Sequence, residues 1–222
     1  MNFERLYEFK NLCTKFEKPC DCYFHNLDDL LKDQNTHYTN LAKELNRLDE
    51  ISWKYLKEKC SPYLCLNNKK RGWEQLFNIL NEAKGYGYLL DKGCNIVQFI
   101  STSRKGEETP DLEGSNKGAK FLCEVKTLNK SDCEIERREK RYAKGVEFNL
   151  NEGLQSQLKK IINKAKSQLL NYQVANVKKR IVYIIVCNND WQPDVKSRIY
   201  RQTTFFVKNF IEKGIEIKIH FI

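Results

Sequence analysis

Apolar residues recur every three or four positions over the first third of the chain, at Leu27, Leu30 and Leu31 and then at Leu41, Leu45, Leu48, Ile51 and Tyr55, with a break at Ser61-Pro62. That spacing predicts helices, because residues three and four apart share one helical face. Residues 1–70 are therefore expected to form a helical N-terminal subdomain, with Phe9, Phe16, Tyr23, Phe24, Trp53 and Tyr63 in its core. From Arg71 the pattern changes. A helix is expected over Gly72–Lys84, closed by Gly85-Tyr86, followed by strands near Asn95–Ser101, at Thr109–Gly114 and over Phe121–Leu128. Lys130–Lys144 is polar with charges in runs and reads as a loop or an exposed helix. Leu154–Tyr172 has helical periodicity, and Arg180–Cys187 is apolar almost throughout, as a strand buried on both faces must be. A helix over Asp194–Lys213 and an alternating strand over Ile215–Ile222 complete an α/β domain over 71–222, a central mixed sheet flanked by helices.

The chemistry concentrates at two strands of that domain. Side chains two apart in a strand point the same way, so Glu124 and Lys126 project together while Cys123 and Val125 face a core. Asp111, after Pro110, brings a second carboxylate from the neighbouring strand. Two carboxylates make an oxygen-rich site of the kind Mg²⁺ takes, and an adjacent ammonium can orient a water or steady a phosphate. Glu113 is a further acid on the face of Asp111.

Pro110-Asp111 and Glu124-Val125-Lys126 resemble the signature of the PD-(D/E)xK nuclease superfamily, over Arg71 to about Cys187. The resemblance implies a restriction-endonuclease-like core and metal-dependent hydrolysis of phosphodiester bonds. Glu74, Asp111 and Glu124 would hold one or two Mg²⁺ or Mn²⁺ ions, with the Val125 carbonyl as a further ligand and Lys126 acting on the water or phosphate. In that family an acid on the preceding helix often completes the metal site. Glu74, near the helix start, matches better than Glu82 near its end, where a carboxylate opposes the helix dipole. DNA is the favoured partner over RNA. An RNA-cleaving enzyme of the same fold, a binding module without catalysis, and a subunit docking a second copy or a partner protein through its N-terminal helices stay open beside it.

In the helix over 154–172, Gln157, Ile161, Lys164, Ala165, Gln168, Leu169 and Tyr172 form one face. Polar groups there suggest that one end reaches the site, with Gln168 in a catalytic role and Lys164 on nucleic acid. Gln168-x-x-x-Tyr172 also resembles a Gln-x-x-x-Tyr motif of the recombination-exonuclease branch of the superfamily. The bland alternative is the solvated border of an amphipathic helix.

Charge adds a polyanionic partner to this picture. The 222 residues carry 39 Lys+Arg against 29 Asp+Glu, a net +10. The runs Lys69-Lys70-Arg71, Arg137-Arg138-Glu139-Lys140-Arg141 and Lys178-Lys179-Arg180 bracket the catalytic segments, where they would contact phosphates, although any one run can equally be a solvated face. No apolar stretch reaches the ~20 residues that span a bilayer, and Met1-Asn2-Phe3-Glu4-Arg5 lacks the order of a secretory signal, so a cytoplasmic protein is expected. Nine cysteines, an odd number, fit reduced, buried thiols. Cys20-x-Cys22 and Cys60-x4-Cys65, with His25 and His37, have poor spacing for zinc, since structural pairs usually enclose two to four residues, Cys-x-Cys is one short, and the partners are far apart in sequence.

Overall fold

The computed structural model describes residues 2–33, 36–69, 71–101, 109–129, 150, 152–187 and 193–222. By contact the chain divides into two units, Met1–Lys92 and Gly93–Ile222. The sequence suggested a boundary at 70/71. The units divide later because the helices after Arg71 pack on those before it.

The first unit is helical: α1 Glu4–Cys13, α2 Leu27–Lys32, α3 Thr36–Leu45, α4 Glu50–Cys60, α5 Glu74–Leu80 and α6 Glu82–Asp91. Phe9 stacks on Phe24 with ring centroids 5.0 Å apart and meets Trp53 edge-on at 5.1 Å, and all three are buried as expected, whereas Phe16, Tyr23 and Tyr63 are only partly covered. The apolar series through Leu45, Leu48, Ile51 and Tyr55 does not continue on one face. Asp49 restarts the helix, its side chain accepting the Ser52 N–H at 2.7 Å, and the restart resets the phase. Trp53, Leu56 and Cys60 turn inward, and Ile51 is left 83% exposed.

Gly85 does not close a helix either, since α6 runs through it to Asp91. Gly87 is explained by close approach: Arg47 Nη2 donates to its carbonyl at 2.8 Å, and a Cβ there would meet Arg47 Nη1 at 2.8 Å. Arg47 also pairs with Asp91, and Lys59 donates to both oxygens of the buried Glu82 at 2.8 Å, which fastens α6 to α3 and α4.

The second unit is α/β. Its sheet has five strands, β1 Ile96–Phe99, β2 Leu112–Asn116, β3 Ala119–Leu128, β4 Val177–Val186 and β5 Ile215–Phe221, in that spatial order. β1, β2 and β3 are antiparallel, while β3, β4 and β5 are parallel, so the sheet is mixed as expected. Parallel neighbours need crossovers, and α7 Glu152–Asn171 and α8 Pro193–Lys208 supply them. Leu158, Ile162, Ala165 and Leu169 of α7 form one core with Leu122 and Leu128 of β3 and Val182, Ile184 and Val186 of β4. Ile181, Tyr183 and Ile185, on the opposite face of β4, are buried too, which accounts for its unbroken apolar run.

Candidate active site

Alternation along β3 decides the placement. Leu122 and Leu128 belong to the core under α7, so Glu124 and Lys126, at even positions between them, lie on the same sheet face. The register Glu124↔Val182 and Lys126↔Ile184 puts both charges beside apolar residues of β4. Glu124 is 1% exposed. A carboxylate in such surroundings must be paired or neutralised.

Asp111 supplies the other half. It precedes β2 by one residue, and its carbonyl accepts the Ile100 N–H at 2.9 Å, which holds the end of β2 beside β1. Leu112 pairs with Cys123, so Asp111 falls opposite Glu124. Two bonds interlock them: the Val125 N–H donates to Asp111 Oδ2 at 2.8 Å, and the Asp111 N–H donates to Glu124 Oε2 at 3.2 Å. Lys126 Nζ donates to Glu124 Oε1, and the lysine side chain remains 22% exposed. Burial, and then the Asp111 charge, push Glu124 up to about 8 against the opposing pull of Lys126. The Val125 carbonyl leaves the strand on the same edge as its N–H, the edge that faces β2.

The other predicted residues divide. Glu113 shares the Asp111 face but pairs with Lys120 at 3.0 Å, which gives its charge to the far end of β3. Glu74 lies in the first turn of α5, in the helical unit, where Arg71 Nη1 donates to its oxygens at 2.9 and 2.7 Å. Gln168 is buried on α7, and its Oε1 has no hydrogen-bond partner among the described residues. Lys164 is exposed. The buried lysine of α7 is Lys166, which reaches Glu212 ahead of β5, a residue the sequence pattern did not mark.

Lys178, Lys179 and Arg180 do not make one patch, because they alternate along β4. Lys179 pairs with Glu216 at 2.8 Å, and Arg180 Nε donates to the Leu169 carbonyl at 3.0 Å. Lys178 is exposed and lies over the Phe121 ring at 5.8 Å. Arg137 and Arg138 lie outside the described residues. A cavity of about 460 Å³ between α7 and α8, lined by Leu150, Gln155 and Phe205 among others, includes none of these predicted residues.

The cysteines depart from the expectation of reduced thiols throughout. Cys22 and Cys65 are joined in a disulfide, and Cys13, Cys20, Cys60, Cys94, Cys123 and Cys187 are not disulfide-bonded. No helix among the described residues is long and apolar enough to cross a membrane. The chain matches no protein-family model, no curated protein and no solved structure.

Proposed function

We propose that the chain is a metal-dependent nuclease that hydrolyses phosphodiester bonds, with DNA favoured over RNA as substrate. One observation carries the reading: Asp111 and Glu124 interlock through the backbone beside the Lys126 ammonium, and Glu124 is buried with its carboxyl raised to about 8. Two adjacent carboxylates disfavour each other's charge, and a divalent ion reverses that preference. The donors are all oxygen, which suits Mg²⁺ or Mn²⁺. The order of helix, strand, Asp111 ahead of β2, and Glu124-Val125-Lys126 on β3 also follows the order that the superfamily resemblance implies.

Asp111, Glu124 and the Val125 carbonyl would hold the ion, which when bound polarises the phosphoryl oxygen and lowers the pKa of a bound water. Lys126, partly exposed, would turn from Glu124 to the scissile phosphate, where its ammonium would offset the charge that builds on the oxygens. Gln168 fits a supporting role. Lys166 reaches Glu212 ahead of β5, and Gln168, two residues and about 200° further round the helix, lies on the opposite flank of α7. Its side chain leans toward the helix N-terminus and so from the level of Leu122 toward Glu124. A buried amide oxygen with no donor among the described residues would hold the attacking water. A cytoplasmic location belongs to the same proposal.

The test is cleavage of supercoiled plasmid, linear duplex, single-stranded DNA and RNA with Mg²⁺, Mn²⁺ or chelator, using the intact chain and the Asp111→Ala and Glu124→Ala variants. Metal-dependent cutting that both substitutions abolish is expected. Cutting that survives both, or none on any substrate with either ion, rejects the reading.

A further inference from the structure

The helical unit gathers three cysteines that the sequence scatters. Cys13 ends α1, Cys22 follows the short 3₁₀ turn Pro19–Asp21, and Cys65 follows a second one, Ser61–Tyr63. Their sulphurs all lie within 4.8 Å of one another. Two features of the fold bring them there. Leu6, Phe9 and Cys13 share the buried face of α1, so Cys13 points into the core beside Phe9 and Phe24. The Tyr23 N–H donates to the Leu64 carbonyl at 2.9 Å, which clamps the residues next to Cys22 and Cys65 together. In this structure Cys22 and Cys65 share a disulfide, with Cys13 a free thiol beside it.

We propose that Cys13, Cys22 and Cys65 form a thiolate site for a thiophilic ion, of the Zn²⁺ or Cu⁺ class, when the Cys22–Cys65 bond is reduced. A thiol reductant supplies two electrons and two protons to open the bond and leaves as its own disulfide. The three thiols then release their protons to solvent as the sulphurs bind the ion. Three sulphurs each about 2.3 Å from a tetrahedral ion stand about 3.8 Å apart, so opening the bond must carry the Cys22 and Cys65 sulphurs from bonding distance to that spacing, which is within the 4.8 Å that the three already span. Cys13 and Cys22 are buried while Cys65 is only partly covered, so the fourth position of a Zn²⁺ ion opens toward solvent on the Cys65 side and takes a water or an outside ligand. The site is oxygen-poor and sulphur-only, which selects soft ions against Mg²⁺. Oxidised and metal-free, the bond ties only the two segments that follow the 3₁₀ turns, while reduced and metal-loaded the three residues tie the end of α1 to them as well.

The decisive experiment titrates the intact chain, reduced and kept anaerobic, with Co²⁺ as an optical probe and with Zn²⁺ and Cu⁺ as competitors, and counts ions per chain by native mass spectrometry. One ion per chain is expected, with a thiolate-to-cobalt charge-transfer band that Zn²⁺ removes. Cys13→Ser, Cys22→Ser and Cys65→Ser should each lose the band, and Cys94→Ser should keep it. Because a serine at a buried position can unfold the unit, alkylation mapping of the unsubstituted chain is run beside it: bound Zn²⁺ should protect Cys13, Cys22 and Cys65 together. No uptake of Zn²⁺ or Cu⁺ by the reduced chain, protection that falls on other cysteines, or undiminished binding by the oxidised chain overturns the proposal.

Discussion

Asp111 and Glu124 hold each other through the backbone: the Asp111 N–H donates to the Glu124 carboxylate at 3.2 Å, while the Asp111 carboxylate accepts the N–H of the next residue, Val125, at 2.8 Å. Each acid is positioned by the strand that carries the other, so neither needs a flexible rotamer to reach the shared edge. Such preorganisation is what a metal site requires, because ligands already in place lose little entropy on binding.

The raised carboxyl of Glu124 makes stability fall with pH. A carboxyl lifted from 4.5 to about 8 binds its proton more tightly in the folded state. Its contribution is therefore fully present below 4.5 and is lost as pH rises through 8, with a slope of at most about 1.4 kcal/mol per pH unit. Urea melts in chelator should show this decline between pH 5 and about 8 in the parent chain and a flatter profile in Glu124→Gln. Added Mg²⁺ or Mn²⁺ should raise stability at pH 8 in the parent alone. Parallel profiles in the two chains would show that Glu124 does not titrate in that window.

Lys126→Ala separates chemistry from binding. The proposed role predicts loss of turnover by roughly 100-fold or more, with nucleic-acid affinity in Ca²⁺ nearly retained. Removing the ammonium beside Glu124 also moves the pH decline described above to higher pH. Kinetics and a binding titration read the first effect, and melts read the second.

On α7, Leu169→Ala should cost about 2–5 kcal/mol as a truncation in the core. Gln168→Ala removes an amide whose oxygen has no partner among the described residues, so its melting temperature should hold or rise while cleavage falls. Full turnover in Gln168→Ala would return that residue to packing.

Salt dependence tests the basic strand. Lys178→Ala should weaken nucleic-acid binding and lower the salt slope by about one phosphate contact. Lys179→Ala and Arg180→Ala should mainly alter stability, since Glu216 and the Leu169 carbonyl occupy those side chains. Equal slopes lost by all three would mean that phosphate displaces the internal partners.

Asp49→Ala should destabilise the helical unit by about 1 kcal/mol through loss of the cap on Ser52, and Asp49→Ser should restore most of it. Thermal melts of the three chains measure the difference.

Local pattern was enough for the strands and for the long α7 helix. Period-two alternation put Glu124 and Lys126 on one face, and the unbroken apolar run marked β4 as buried on both faces, because both properties follow from backbone geometry alone. The antiparallel pairing of β2 with β3 goes with the tight turn at Lys117-Gly118, and the parallel pairs go with the helices that join them.

What the sequence by itself determined, then, was which residues share a face; tertiary structure decided which partners those faces meet. Ile51 kept helical spacing with Leu48 yet ended at the surface, because Asp49 reset the phase. Lys164 shared a face with Gln168 in the sequence pattern, but only Gln168 is buried, since the axis of α7 over the sheet sets where the buried stripe ends. Gly85 looked like a stop and lies inside α6, where packing against α3 outweighs a helix propensity cost of about 1 kcal/mol. The depth of Glu124, its reciprocal bonds with Asp111 and the meeting of Cys13 with Cys22 and Cys65 lie beyond sequence spacing for one reason. Each depends on contacts between segments far apart in the chain, and spacing along a chain measures only the contacts that one element makes with itself.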